Sequence, residues 1–354
     1  MNITFTPRER LHQFEWDSQT QQWDRPVLDR ATIKELSERS TWNGLFRVGR
    51  FVLILTACAA TTVWLSRSGA WWMAIPALYL YYFFYGFWVA IGHELQHKIV
   101  FASPFDRASA VIYFIVQTLM WNSPRYARVS HRLHHRYTMV RGIDPETPWP
   151  EVISARFVRN LLLGLFAKIL VVGALIDLGR NVYAQILRAI GRKDRMMREH
   201  CTPDDLRAIQ LESAAILLIH TSIAAFAFAF GRWEPIAFIT LAWQIGSPIE
   251  GLWHLTEHIG RLQDVRDQRL CTRSIRVGPL IHMLYWGLDD HVDHHIYPAI
   301  PSRNLPKLHA LIGKDLPEPR NIIGCWREIY AIAREKDRNP THEYVPFPLP
   351  DPSA

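Results

Sequence analysis

Residues 92–98 read GHELQHK. The inner five, His93-Glu94-Leu95-Gln96-His97, fit the H-E-x-x-H pattern of zinc metalloproteases, in which two imidazoles bind zinc and the Glu is the general base. The same letters serve a site in which both histidines bind iron and Glu94 is only a neighbour. On a helix, either reading places two rings four residues apart on one face. The pentapeptide leaves both readings open, so the rest of the chain has to separate them.

Of 354 residues, 49% are hydrophobic, with 14 Trp, 12 Tyr and 17 Phe. Mean hydropathy is near zero, which hides long apolar runs alternating with strongly basic loops. That segregation is typical of polytopic membrane proteins rather than soluble enzymes. The first 46 residues are polar and charged, so no secretory signal is read there. Cys58, Cys201, Cys271 and Cys325 lie far apart with no C-x-x-C pair. This argues against structural disulfides, a zinc ribbon and an iron–sulfur cluster.

Four runs approach the ~20 residues needed to cross a bilayer: about 48–66, 71–91, 211–230 and 234–252. They form two hairpins with short outer turns, SRSGA and GRWE. The run 108–121 is too short to span comfortably and reads as a re-entrant or interfacial helix. The stretch 157–176 is apolar but carries Arg159 and Lys168. It fits an amphipathic helix on the membrane surface, with a fifth span as the alternative. The expected organisation is an N-terminal segment 1–46, a membrane domain 47–312 and a Pro-rich tail 313–354. The expected fold is an all-α integral membrane protein, four spans in two hairpins with a cytoplasmic helical cap. Between residues 123 and 210 there are 15 Lys plus Arg against eight Asp plus Glu. By the positive-inside rule that loop and both termini are cytoplasmic. The surplus of +7 agrees with this rule and with anionic headgroups. No basic groove interleaved with aromatics is present, so nucleic acid is set aside.

Ten of the 16 histidines fall into four clusters. These are His93 and His97; His131, His134 and His135 in HRLHH; His254 and His258 in HLTEH; and His291, His294 and His295 in HVDHH. Within each cluster the spacing brings rings onto one helical face. The first pair ends the second span and the third pair ends the fourth. Both H-x-x-H-H boxes lie in segments assigned to the same membrane side. A lone histidine is usually an ordinary core or surface residue; four clusters on one face are not. A hydrolytic zinc site uses three protein ligands, which leaves seven histidines idle. Nitrogen ligation without thiolate suits iron, copper or zinc, and iron with open positions suits oxygen activation. Two iron ions in a histidine-rich dinuclear site are the economical reading.

The set HELQH, HRLHH and HVDHHIYPAIPSRNLPKLH resembles the membrane-bound fatty acid desaturase and hydroxylase superfamily of non-haem diiron enzymes, over about residues 75–312. The block CTRSIRVGPLIHMLYWGLDDHVDHHIYPAIP is similar to the bacterial acyl desaturase branch, and HLTEHIGR to the E-H-Y-G element of alkane hydroxylases. The resemblance implies that His93, His97, His131, His134, His135, His258, His291, His294 and His295 are iron ligands. His254 departs from the pattern, because relatives carry Asn four residues before the lone ligand His. It could ligate, act through water or simply hydrogen-bond. Under this reading Glu94 is not a general base.

Neutral imidazoles call for carboxylates that orient them and offset metal charge. The candidates are Glu94, Asp144, Glu257, Asp289, Asp290 and Asp293, each against the plain alternative of a surface ion pair. His220 sits alone in the third span, where an ionisable group tends to line a cavity. A substrate tunnel and a hydrogen bond to a neighbouring helix are its two readings.

By resemblance the activity is O2-dependent attack on a C–H bond of a fatty acid or acyl chain, with desaturation first. The acyl chain would enter a tunnel lined by the second span and the 108–121 segment. Hydroxylation and oxidative decarboxylation to a terminal alkene are the alternatives, and an H-E-x-x-H membrane protease is remote. A metal sensor or transporter would need polar residues through the spans. With no H-P-G-G element and no suitable cysteine set, electrons come from an external ferredoxin, rubredoxin or cytochrome b5 type donor with a reductase. Arg192, Lys193, Arg195 and Arg198 suit docking of a small acidic carrier, or lipid headgroups. The expected location is the bacterial inner membrane.

Overall fold

A computed structural model of the chain describes residues 25–346; the outermost parts of the expected terminal segments lie outside the described residues. The regular secondary structure described is almost entirely helical. Strand among these residues is limited to a parallel pairing of Ile275–Arg276 with Arg320–Asn321. The chain divides into two compact units.

The first unit, Arg39–Val129 with Leu163–Leu252, is apolar. By length and composition three of its helices can cross a membrane: Thr41–Arg67, Trp71–Gln96 and Pro203–Ala229. At about 1.5 Å per residue, the 27 residues of the first reach about 40 Å, enough for a ~30 Å hydrocarbon core. Local signals fix their starts. Ser40 accepts from the Asn43 amide, and Thr202 and Asp205 form a reciprocal capping box ahead of Pro203. Their outward faces carry exposed Leu53, Leu80, Leu218 and Phe228, with Trp42, Trp64, Trp71 and Trp72 near the ends. This is a lipid-facing surface with interfacial aromatics. Gly86 and Gly246 cross so closely that a Cβ on either would strike the other's backbone, the small-residue contact common between membrane helices.

Two expected elements take a different form. The run 234–252 is not one long helix: it opens as a π-helical turn, Ile236–Thr240, and continues as Ala242–His254. A π turn disturbs the regular carbonyl pairing, and side chains supply partners here. The Tyr81 hydroxyl donates to the Phe238 carbonyl at 2.7 Å, and the Trp121 indole donates to the Thr240 carbonyl at 2.9 Å. The stretch 157–176 is two helices, Ala155–Ile169 and Val171–Ala189, meeting at 98°. Gly173 permits this corner, because a Cβ there would collide with the Ala167 carbonyl. The short apolar run expected at 108–121 is the 14-residue helix Asp106–Leu119.

The second unit gathers the described residues of Met1–Glu38, Ser130–Leu162 and Trp253–Ala354. Three small cores grip the histidine-bearing segments. Val292 and Ile296 pack with Leu305, Leu308 and Ile312 and anchor the short helix His291–Ile296. Ile259, beside His258, packs against Ile329 and Ala333 of the C-terminal helix Ile322–Arg338. Met139, just past HRLHH, packs with Leu262, Val265 and Leu270. Each fully buried aliphatic side chain contributes about 1.5–3 kcal/mol, so the boxes are held from behind by apolar contacts. Gly260 takes φ +79° against Ile329 and Ile332, a left-handed turn open to glycine at little cost. It redirects the chain immediately after His258.

Candidate metal centre

The helix Pro124–Arg136 presents His131, His134 and His135 at i, i+3 and i+4. The helix His291–Ile296 presents His291, His294 and His295 with the same offsets. Within the second unit these rings sort into two groups. In one, a single nitrogen from each of His134, His258, His291 and His295 lies within 4.8 Å of the others, and all four rings are buried. The Nε2 atoms of His291 and His258 are 3.3 Å apart, and those of His295 and His291 are 3.1 Å apart. In the other, the His135 Nε2 lies 3.0 Å from that of His131 and 3.2 Å from that of His294. The groups share a wall, where the rings of His135 and His295 stack 4.3 Å apart.

The opposite nitrogens explain why Nε2 faces inward. His134 Nδ1 donates to Asp144 Oδ2 at 2.9 Å, and His131 Nδ1 to Glu146 Oε2 at 3.0 Å. His258 Nδ1 meets the Cys271 carbonyl at 3.0 Å, which can only accept. His295 Nδ1 meets the Thr138 hydroxyl oxygen at 3.3 Å, and that hydroxyl already donates to the His134 carbonyl at 2.7 Å. Each Nδ1 therefore carries a proton, and in a neutral ring the Nε2 is then the bare lone pair. Burial pushes His258 down to about 3, and it likewise pushes His291, His294 and His295 well below the usual imidazole range. Neutral rings aiming several lone pairs at one point repel one another unless a cation takes them. Nitrogen donors with outer carboxylate or carbonyl partners are the usual surroundings of a transition metal. The residues present fit a metal in both groups.

The expected carboxylates divide. Asp144 is fixed by the Met139 amide at 2.9 Å and the Thr147 hydroxyl at 2.6 Å. Although burial opposes it, His134 holds the Asp144 carboxyl well below the ordinary range. Glu257 is fully buried; its Oε2 lies 3.2 Å from His291 Nε2 and 3.0 Å from His254 Nδ1, and its Oε1 accepts from the Tyr285 hydroxyl. Asp289 and Asp293 turn elsewhere, to His282 at 2.9 Å and His309 at 3.1 Å. Asp290, Asp293 and His309 form a separate donor set. Burial and the carboxylates of Asp289 and Asp293 push Asp290 up to about 6. His254 lies in neither nitrogen group: its side chain is 45% exposed and its Nδ1 pairs with Glu257. Glu146, Thr138 and Tyr285 were not singled out from the sequence. Glu146 was within reach, since it lies two residues beyond Asp144 in the same acidic loop.

In the first unit, His93 is buried and His97 half-buried, with ring centroids 5.0 Å apart at the end of the helix Trp88–Gln96. Glu94 is buried between them in sequence. His220 makes the interhelical bonds of its second reading. Its Nε2 donates to the Thr118 carbonyl at 3.1 Å, and its Nδ1 faces the Thr240 hydroxyl at 3.3 Å.

Comparison with known proteins meets this geometry from another side. The sequence matches the family model for fatty acid desaturases over residues 69–324. It is 26% identical over 287 residues to a protein of Arabidopsis thaliana named sphingolipid delta(4)-desaturase DES1-like, covering 80% of this chain and 75% of that one. It is also 26% identical over 264 residues to an acyl-lipid 8-desaturase of Rebecca salina, covering 69% of this chain and 60% of that protein. The matched span holds all four histidine clusters and two of the long apolar helices of an integral membrane protein, Trp71–Gln96 and Pro203–Ala229, and the chain belongs to the fatty acid desaturase family.

Proposed function

We propose that this desaturase-type oxidoreductase is an O2-dependent diiron enzyme that desaturates a fatty acid or fatty acyl chain. The observation that carries the reading is the inward convergence of Nε2 atoms in two adjoining groups whose Nδ1 atoms are anchored outward. One iron is assigned to His134, His258, His291 and His295. The second is assigned to His131, His135 and His294, with His93 and His97 added on the strength of box order and resemblance. Bound iron supplies oxygen activation and the removal of hydrogen from an unactivated C–H bond.

The chain's own residues do the rest. Asp144, Glu146, Thr138 and the Cys271 carbonyl hold each proton on Nδ1 and fix ring orientation. Burial of the rings excludes water that would compete for open positions. Glu257 brings one negative charge to the first group and is itself held by Tyr285 and His254, so His254 acts through Glu257. Electrons come from an external ferredoxin, rubredoxin or cytochrome b5 type donor. The basic loop 123–210 and both termini face the cytoplasm of a bacterial inner membrane.

The test is incubation of the iron-loaded protein with acyl chains of several lengths, O2 and a reducing system. Product analysis should include the volatile headspace. Alkenes of unchanged chain length are expected. Alcohols would move the reading to hydroxylation, and terminal alkenes one carbon shorter to decarboxylation. One zinc per chain and no iron would return the protein to the metalloprotease reading.

A further inference from the structure

A cluster of arginines outside the histidine groups has no part in that function. At its centre is Glu328 of the C-terminal helix. Its Oε1 accepts from Arg273 Nη2 at 2.8 Å and Nε at 3.1 Å, and it lies 3.5 Å from Arg261 Nη2. Its Oε2 pairs with Arg320 Nε at 2.8 Å and accepts from the Tyr344 hydroxyl at 2.9 Å. Among the described residues one carboxylate therefore faces three guanidiniums, an excess of two positive charges.

The three arginines are not equivalent. Arg273 also donates to the carbonyls of Thr256 and Ile259. Arg261 is only 6% exposed, and its Nε and Nη1 are buried without a hydrogen-bond partner among the described residues. Its guanidinium carbon stands 5.6 Å from the Tyr344 ring. Beside it opens a cavity of about 310 Å³, lined by Arg261, Arg276, Glu318, Arg320, Glu328 and Tyr344 among others. The strand pairing sets Ile275 opposite Arg320 and Arg276 opposite Asn321. Arg276 and Arg320 thus reach the cavity from adjacent strands, with side chains 67% and 57% exposed. Among the described residues Arg276 has only a loose 3.6 Å pairing, to the exposed Glu318.

A buried guanidinium short of counter-charge is strongly unfavourable. Burial, with Arg273 alongside, pushes Arg261 down to about 9, as expected of a cation in that position. The guanidinium fork matches a tetrahedral oxyanion, and a phosphate monoester carries a charge of about −1.5 to −2 at neutral pH. That charge answers the local surplus of two.

We propose that this cavity is a phosphate-binding site, with Arg261 at its floor and Arg320 and Arg276 at its rim. Its ligand is a phosphate group, carried by a soluble ion or by a phospholipid headgroup. Because the Arg261 amide donates to the His258 carbonyl at 3.1 Å, filling the site also braces the third histidine box.

The test is thermal unfolding of the full-length, iron-loaded protein. In detergent, inorganic phosphate is titrated against chloride at equal ionic strength. In nanodiscs, phosphatidate is compared with phosphatidylcholine alone. A saturable rise in melting temperature with phosphate, absent with chloride, is expected for a soluble ligand. A rise confined to phosphatidate discs assigns the site to a headgroup. Arg261→Gln should raise the half-saturating concentration about tenfold or more. Arg320→Gln should weaken binding in the same direction, and the exposed Arg276→Gln serves if Arg261→Gln does not fold. The proposal is overturned if phosphate and phosphatidate give no more shift than their controls, or if all three variants respond as the unaltered protein does.

Discussion

His220 in the apolar unit and His295 in the polar unit are both buried histidines, yet they are opposite cases. His220 is 2% exposed and stacks on Trp121 at 3.8 Å. Its two nitrogens meet a carbonyl and a hydroxyl on neighbouring elements, so neither is left for a metal. His295 is 4% exposed, with one nitrogen on Thr138 and the other directed among the Nε2 atoms of its group. Burial therefore does not distinguish a histidine tied into the fold from one placed to take a metal. The destination of the second nitrogen does.

That contrast can be broken most severely at the proposed ligands. His134→Ala or His295→Ala should take activity below detection and reduce iron per chain, measured by product formation and elemental analysis. If both variants keep full iron and near-normal turnover, the convergence of Nε2 atoms has no bearing on metal. A smaller loss is expected one step out. Asp144→Asn keeps the shape but weakens the anchor of His134 Nδ1, and metal affinity should fall about 10- to 100-fold. Competition with a chelator reads this directly.

The other side of the comparison is sharpened by His220→Leu. The bonds to Thr118 and Thr240 are lost within a buried, apolar setting, at an expected cost of about 1–3 kcal/mol. Thermal unfolding should move to lower temperature while iron per folded chain stays unchanged. Loss of iron would transfer His220 to the ligand class. The smallest effect is expected for His254→Asn. Its ring touches Glu257 and lies in neither nitrogen group, so both irons and a measurable part of the activity should persist. Iron loss equal to that of His134→Ala would make His254 a direct donor.

The clustering of the histidines was largely legible in the sequence because i, i+3 and i+4 spacing already puts them on one helical face. His131, His134 and His135 were found as a cluster, as were His291, His294 and His295. Their division was not legible. Neighbouring rings of HRLHH go to different groups, with His134 in one and His131 and His135 in the other. Which group a ring joins depends on its partner across the fold, not on its spacing. The carboxylates split for the same reason. Asp144 follows its box closely and reaches back to it, whereas Asp293 sits within its box and points to His309.

The same boundary runs through the fold. The apolar runs 48–66, 71–91 and 211–230 were set by composition, because a length of apolar chain in lipid must satisfy its backbone internally. The π turn at Ile236–Thr240 and the corner at Leu170 were not visible, since each depends on groups distant in sequence or on local crowding. Tyr81 and Trp121 supply donors to the first, and the missing Cβ of Gly173 makes room for the second. The sequence by itself determined the long apolar helices and the histidine clusters, because these rest on composition, periodicity and spacing along one chain, and its boxes carried the resemblance to the family. Only the tertiary structure decided which nitrogens converge, which carboxylates anchor them and where Arg261 is left short of counter-charge. Those are properties of groups brought together from remote positions, where burial and the direction of a lone pair or N–H determine the outcome.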